Sequence, residues 1–214
     1  GEVKEAEGSP EIRRRLKGVT RMRLDSDAES TRAYADRPHR FKQIQGRGKN
    51  STIVVPKVSS EHRPYLPVGL LSQHSIVSDN AFALYDAPLW NMALIASRLH
   101  LVWITTVCGQ LETRIRYSNT LGWNTFPVPK LTEKNKADLT ACATDILLAR
   151  EAHFPATIAD LYNPETMPEN LRAAHARNDE VLERIYIGRR FRNDTERLEK
   201  LFEMYTKMTT KVSA

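Results

Sequence analysis

Apolar residues recur along this chain with two different periods, and the change from one to the other divides it. After Pro129 the spacing is helical throughout: Leu131 and Thr132 offer a staple and a cap, and Leu139, Cys142, Ala143, Ile146 and Leu147 form one stripe. Leu171, Ala174, Asn178, Leu182 and Ile185 form a second stripe that closes near Gly188. Asp194 is the expected cap of a last helix carrying Leu198, Leu201, Phe202, Tyr205 and Met208. Three amphipathic helices must bury these stripes against each other or against a partner.

Before Pro127 the texture is mixed. Ser9-Pro10-Glu11 predicts the cap and first turn of a basic helix to about Met22, with Ile12, Leu16 and Val19 toward a core and Arg13, Arg14, Arg15 and Lys17 outside. Short strands are predicted at Thr52 to Pro56, Tyr65 to Leu71, Ser75 to Val77 and Phe82 to Tyr85. A single helix should follow, capped by Asp86, with Pro88 in its first turn, Trp90, Leu94, Leu101 and Ile104 on its buried side, and Gly109 as its stop. Trp90 and Trp103 are read as core, with stacking on an extruded base as the alternative. Gln110 to Arg116 then alternates as an extended segment, placing Glu112, Arg114 and Arg116 on one face. The fold class expected is α+β: a mixed domain over residues 1–128 followed by an all-α domain over 129–214.

Charge follows the same division. Lys+Arg and Asp+Glu number 18 and 12 up to Val128, against 14 and 14 from Pro129 onward, so the whole excess of +6 lies in the mixed part. A basic surface gains by releasing counterions condensed on nucleic acid, whereas a balanced helical surface has no such preference. No apolar run is long enough to cross a membrane. Cys108 and Cys142 lie far apart and outside any metal-binding spacing, which predicts reduced thiols in cytoplasm. No signal peptide opens the chain, and it begins with Gly1 rather than Met, which predicts a piece of a longer polypeptide.

The alternating segment carries the most specific chemistry. Glutamate accepts a hydrogen bond from the exocyclic amine of cytosine, and arginine bonds guanine with two prongs, both in the major groove. A charged period-two run also describes a solvated edge strand, so both readings stay open. Asp36 to Lys42 and Gln45 to Asn50 interleave basic residues with Phe41 and glycines, which suits contact with a nucleic-acid backbone through Arg40, Lys42, Arg47 and Lys49, or a solvated hairpin tip. The second segment is not a Walker A loop, because Gln43 stands where the first glycine is required and Asn50 where Ser or Thr would hold magnesium. His153 and His175 lack metal-ligand spacing and are read as ordinary polar residues. Asn163-Pro164-Glu165 lacks the second Pro and the aromatic residue of an adenine-methylation motif and is read as a turn.

The block Leu111-Glu112-Thr113-Arg114-Ile115-Arg116-Tyr117-Ser118-Asn119-Thr120, running on to Trp123-Asn124-Thr125-Phe126-Pro127-Val128-Pro129, resembles the end of the target recognition domain in MmeI-like enzymes. These are large bacterial proteins that join an adenine-N6 DNA methyltransferase to a restriction nuclease. Ile53-Val54-Val55-Pro56, Ser59-Ser60-Glu61, Ser78-Asp79-Asn80-Ala81, Tyr85-Asp86-Ala87 and Leu161-Tyr162-Asn163-Pro164 fall in the family's order, as do Met167-Pro168 and Leu171, so the resemblance covers nearly the whole chain.

The resemblance implies that Glu112 and Arg114 are the pair at which relatives alternate between Glu-x-Arg and Lys-x-Asp, and hence that the pair reads a cytosine in the target strand. It places Arg116, Asn80, Asp79 and Lys57 at further base-recognition positions. Asn80 and Asp79 also suit a turn, and Lys57 suits a phosphate contact. Ser118, Asn119 and Asn124 would position phosphates or stabilise their loop. The helical tail would help enclose DNA.

The partners implied are double-stranded DNA and the methyltransferase domain of the same parent chain, with no membrane. No Gly-rich cofactor loop, complete methylation motif or cluster of acids with lysine is present, so the piece is expected to be catalytically silent, with S-adenosylmethionine and Mg belonging to the rest of the parent. Two other classes stay open: an assembly module with only nonspecific DNA binding, and an unrecognised nuclease.

Overall fold

The computed structural model describes residues 8–42 and 46–210 and divides into two units, Gly1–Gly46 and Arg47–Ala214. In the first unit, α1 (Pro10–Leu24) begins with Pro10 in its first turn, where a missing N–H costs nothing, and Glu11 pairs with Arg14 and Arg15 at 2.9 Å. Ser9 takes the extended cap conformation without a side-chain bond. Ile12, expected in a core, is exposed, and Leu16 and Val19 are only half-buried. The buried residue of this helix is Arg23. Its guanidinium donates to the carbonyls of Tyr34, Arg37 and Arg40 at 2.7–2.8 Å, tying down the chain after the short α2 (Glu29–Arg32).

The second unit holds two three-stranded antiparallel sheets. One has the order β3-β1-β4, from β1 (Ser51–Pro56), β3 (Gly69–Ser72) and β4 (Ala81–Tyr85). The other has the order β2-β6-β5, from β2 (Val58–Ser59), β5 (Gly109–Leu111) and β6 (Arg114–Arg116). The strand expected over Tyr65 to Leu71 shrinks to β3, because Pro67 donates no ladder bond. Ser75 to Val77, expected as a strand, is irregular.

The single helix expected before Gly109 is two, α3 (Trp90–Ile95) and α4 (Arg98–Val107). Fully buried Ser97 makes the break: its hydroxyl donates to the Leu94 carbonyl at 2.7 Å and accepts from the His100 N–H at 3.1 Å, capping α4. Asp86 is not a helix cap. It sits at φ 51° and binds the segment before β1 instead.

Helices α5 (Glu133–Glu151), α6 (Ile158–Leu161), α7 (Glu169–Ile187) and α8 (Asp194–Thr210) form the rest. Thr132 caps α5 as expected, and Gly188, at φ 77°, ends α7 in the left-handed conformation that glycine adopts freely. The cap of α8 is Asn193, whose side chain accepts from the Glu196 N–H at 2.9 Å, one residue before the expected Asp194. Asp194 is drawn away by Arg98 and Arg197, at 2.5 and 2.9 Å.

The stripes of α5 and α7 close on each other, α5 also packs on α3, and α8 packs on α4, where Trp103 is buried against Phe202 and Tyr205 with its indole N–H on Thr125. Trp103 is therefore core, as expected. A line of buried polar contacts stitches these layers. Arg150 donates to the Val68 carbonyl and the Tyr162 hydroxyl, Tyr162 meets His175 at 2.7 Å, and Asp179 accepts from Tyr65 and the Arg98 N–H. Asn178 donates to the Ala93 carbonyl. Cys108 and Cys142 are free thiols, and among the described residues no helix is long and apolar enough to cross a membrane.

Among the described residues, three buried groups dominate the pH response between about pH 4 and 7. Burial pushes His100 and His175 from 6.5 down to about 3, and pushes Asp179 from 3.8 up to about 6. Each histidine stays neutral in the fold while the unfolded chain takes up a proton, so its contribution is complete above pH 6.5 and is lost as pH falls toward 3. Asp179 acts oppositely: its contribution is complete below pH 3.8 and is lost as pH rises through about 6. Two histidines outweigh one carboxylate. The urea midpoint should therefore rise between about pH 4 and 7, and Asp179→Asn should steepen the rise by removing the opposing group. A midpoint that falls over this range would contradict the account.

Candidate nucleic-acid interface

The segment Gln110 to Arg116, expected to be one extended strand, is a tight hairpin. Leu111 pairs with Arg114, and Glu112 and Thr113 make the turn between β5 and β6. Glu112 has φ 58°, a left-handed conformation that costs a side-chain-bearing residue about 1 kcal/mol or more. The sequence contains no glycine or asparagine there to announce a turn, which is why alternation alone suggested a strand. The consequence for the candidate residues is modest. Arg114 and Arg116 still share the outer face of β6, while Ile115 between them is buried, and Glu112 joins Arg114 from the turn at 2.5 Å.

Leu111, Glu112, Thr113 and Arg114 are all exposed, so the tip is a protruding two-stranded ribbon. Its base is anchored. Ile115 pairs with Ser59 and Arg116 with Val58, and both Ile115 and Ser59 are buried. Thr113 beside it is the chief reason the Glu61 carboxyl is held below the usual range, and His62 and Arg114 add weaker attraction. Glu61 was not among the expected site residues. Its signal, an acid two residues beyond a short strand, is visible only once that strand is seen to flank the turn.

The structure brings the other four candidates for base recognition to the root of this ribbon. The Lys57 N–H donates to the Asn80 carbonyl at 3.1 Å, and the Lys57 carbonyl accepts from the Tyr117 N–H at 2.8 Å. This one residue thus joins the turn before β4 to the end of β6. Lys57 places its ammonium 5.0 Å from the centre of the Phe82 ring, and Asp79 and Asn80 lie exposed in the turn. Arg116, Lys57, Asn80 and Asp79 therefore form one neighbourhood below the tip.

Ser118 has a structural duty, since its hydroxyl accepts from the Leu121 N–H at 3.3 Å and caps the π-helical turn Asn119–Trp123. Asn119 and Asn124 are exposed at either end of that turn.

The basic residues before β1 are separately positioned. The Asp86 carboxylate accepts from the backbone N–H groups of Lys49 and Asn50 at 2.8 and 2.7 Å, and these bonds hold its pKa low. With the backbone pinned, the side chains of Arg47 and Lys49 are exposed. Arg40 and Lys42 belong to the first unit. Lys42 donates to Ser30 and Thr31 at 2.7 and 3.1 Å, a local strut that competes with a phosphate role, while the Arg40 side chain is exposed. Gln43 and Gln45 lie outside the described residues. No group of three His, Cys, Asp or Glu side chains among the described residues is arranged to hold a metal ion.

Comparison with known proteins places this ribbon in a family. The family model for the MmeI target recognition domain matches residues 1–130, and that for the MmeI C-terminal domain matches residues 131–213. The chain belongs to the MmeI family. DNA methyltransferase A of Bacillus subtilis (strain 168) is 38% identical over 201 residues, which cover 94% of this chain and 23% of that protein. The solved structure of the type IIL restriction-modification enzyme MmeI in complex with DNA matches with a TM-score of 0.83 at 33% identity, over 97% of this chain and 28% of that one. The chain thus spans about a quarter of the length of these MmeI-family relatives. Its fold, a mixed part followed by helices, is that of the MmeI target recognition and C-terminal domains.

Proposed function

We propose that this chain is the sequence-reading part of a restriction-modification enzyme, and that the tip of its β5–β6 hairpin enters the major groove of double-stranded DNA. It would give sequence choice to an adenine-N6 methyltransferase, and to cleavage where the parent has a nuclease, in domains elsewhere in the same polypeptide. S-adenosylmethionine and Mg would be held by those domains.

The observation that carries the reading is the ribbon itself. The major groove admits a two-stranded β-ribbon, and this one presents an acid and a guanidinium at its tip. One Glu112 oxygen bonds Arg114, leaving the other for a cytosine amine. Arg114 has five N–H donors and spends one on Glu112, so it retains enough for a guanine edge. The internal ion pair thus holds both groups ready for one C·G base pair.

Arg116, Lys57, Asn80 and Asp79 are proposed to meet neighbouring bases, and Arg40, Lys42, Arg47, Lys49, Ser118, Asn119 and Asn124 the DNA backbone. A relative solved in complex with DNA, and another named a DNA methyltransferase, support the partner and the reaction.

Glu112→Gly tests the assignment without harming the fold. Glycine accepts the left-handed backbone, so thermal stability should hold or rise by up to about 1 kcal/mol. Preference for the methylated site over an unrelated duplex should meanwhile fall about tenfold or more, with the salt dependence of nonspecific binding retained. Full preference in a variant lacking the carboxylate would remove Glu112 from the reading.

A further inference from the structure

The outer face of the β2-β6-β5 sheet carries more than its arginines. Residues directly opposite each other on antiparallel strands point to the same side. Leu111 is opposite Arg114, while Val58 and Gly109 are opposite Arg116. Gly109 adds no side chain, so the face presents two guanidinium groups flanked by two aliphatic side chains, Leu111 at the tip and Val58 at the root.

Leu111 is 42% exposed although Arg114 lies across from it, so the stem of the arginine leaves a large part of the leucine uncovered. A solvated ribbon tip gains nothing from a bare leucine beside an ion pair. A ribbon that enters the major groove does, because the thymine C5-methyl is the one apolar group that bases display there.

Resting on the reading of the hairpin as a major-groove ribbon, we infer that Leu111 is a further specificity-determining residue that packs on the C5-methyl of a thymine beside the base pair met by Glu112 and Arg114. The spacing restricts which thymine. Cα atoms of opposed residues lie about 5 Å apart, and base pairs rise about 3.4 Å each. The methyl is therefore within two base pairs of that C·G pair. Leu111 needs no partner inside the protein for this contact, since its uncovered surface is what the methyl would occupy.

The test removes or adds single methyl groups. The intact polypeptide carrying this chain is titrated with its own target duplex, identified by sequencing its methylated sites. In that duplex each thymine is replaced in turn by deoxyuridine and each cytosine by 5-methylcytosine. One deoxyuridine within two base pairs of the C·G pair should weaken binding about three- to five-fold, the burial of one methyl expressed as a ratio, and Leu111→Ala should bind both forms of that duplex equally. The inference is overturned if no thymine lies in that window, if no methyl in it matters, or if Leu111→Ala keeps the full methyl effect.

The exchange Glu112→Lys with Arg114→Asp, run on the same duplexes, separates the two levels. A shifted base choice with no methyl dependence on Leu111 removes only the leucine contact. An unshifted base choice removes the ribbon reading beneath it.

Discussion

Replacing Glu112 by Lys and Arg114 by Asp together should reverse the base pair preferred at one position of the target, from C·G to G·C, in the intact enzyme. Lysine then donates to the guanine edge and aspartate accepts from the cytosine amine on the opposite strands. Each lost contact is worth about 1–3 kcal/mol of discrimination, and each wrong pair also faces like polarity across the groove. Activity on the original site should therefore drop about a hundredfold, while the reversed site gains. Both residues are exposed, and their ion pair at 2.5 Å is re-formed with reversed sign, so the unfolding midpoint should change little. Sequencing methylated positions in cells that express the intact gene reads the outcome. An unchanged methylated motif would show that the hairpin tip does not choose this base pair.

The largest effect on stability should come from Glu183. Its side chain is almost wholly buried in α7 and accepts from the Arg197 guanidinium at 2.5 and 2.8 Å and from the buried N–H of Phe191 at 2.9 Å. Glu183→Ala leaves the buried Phe191 N–H without its acceptor and the mostly buried Arg197 guanidinium with Asp194 as its remaining carboxylate partner. Removing one member of such a pair costs about 3–5 kcal/mol, a large fraction of the net stability of an ordinary domain. Urea denaturation should show the midpoint falling accordingly, and α8, which Arg197 ties to α7, should become the most protease-sensitive element. Glu183→Gln, which keeps an acceptor but not the charge, should recover part of the loss. Equal midpoints for wild type and Glu183→Ala would mean that packing of Leu182 and Leu201 holds α8 by itself.

The interior and the binding surface differ in how openly the sequence displays them. The stripes Leu139–Cys142–Ala143–Ile146 and Leu171–Ala174–Asn178–Leu182 could be read directly, because a helix buries one face at a fixed spacing and a long periodic run overrides local detail. Thr132 and Gly188 were equally readable as helix ends, since each supplies a local chemical need of the backbone. The break at Ser97 was hidden. Apolar residues surround it on both sides, and only a hydroxyl bonded to both Leu94 and His100 stops the helix there. Asp194 and Asp86 were plausible caps on local grounds and lost that role to distant partners, Arg98 and the backbone of Lys49 and Asn50.

Local information alone, namely period, caps and the chemistry of side chains, determined that this protein is α+β and that its last part is helical, while the resemblance to a known family singled out Glu112 and Arg114 as a pair. Which way the chain turns at Glu112 was decided by tertiary structure. A glutamate at positive φ has no intrinsic preference to turn; the register of β6 against β5 and β2 and the burial of Ile115 impose it. The gathering of Lys57, Asn80 and Arg116 at one root likewise depends on backbone bonds between residues far apart in the chain, which no local pattern encodes.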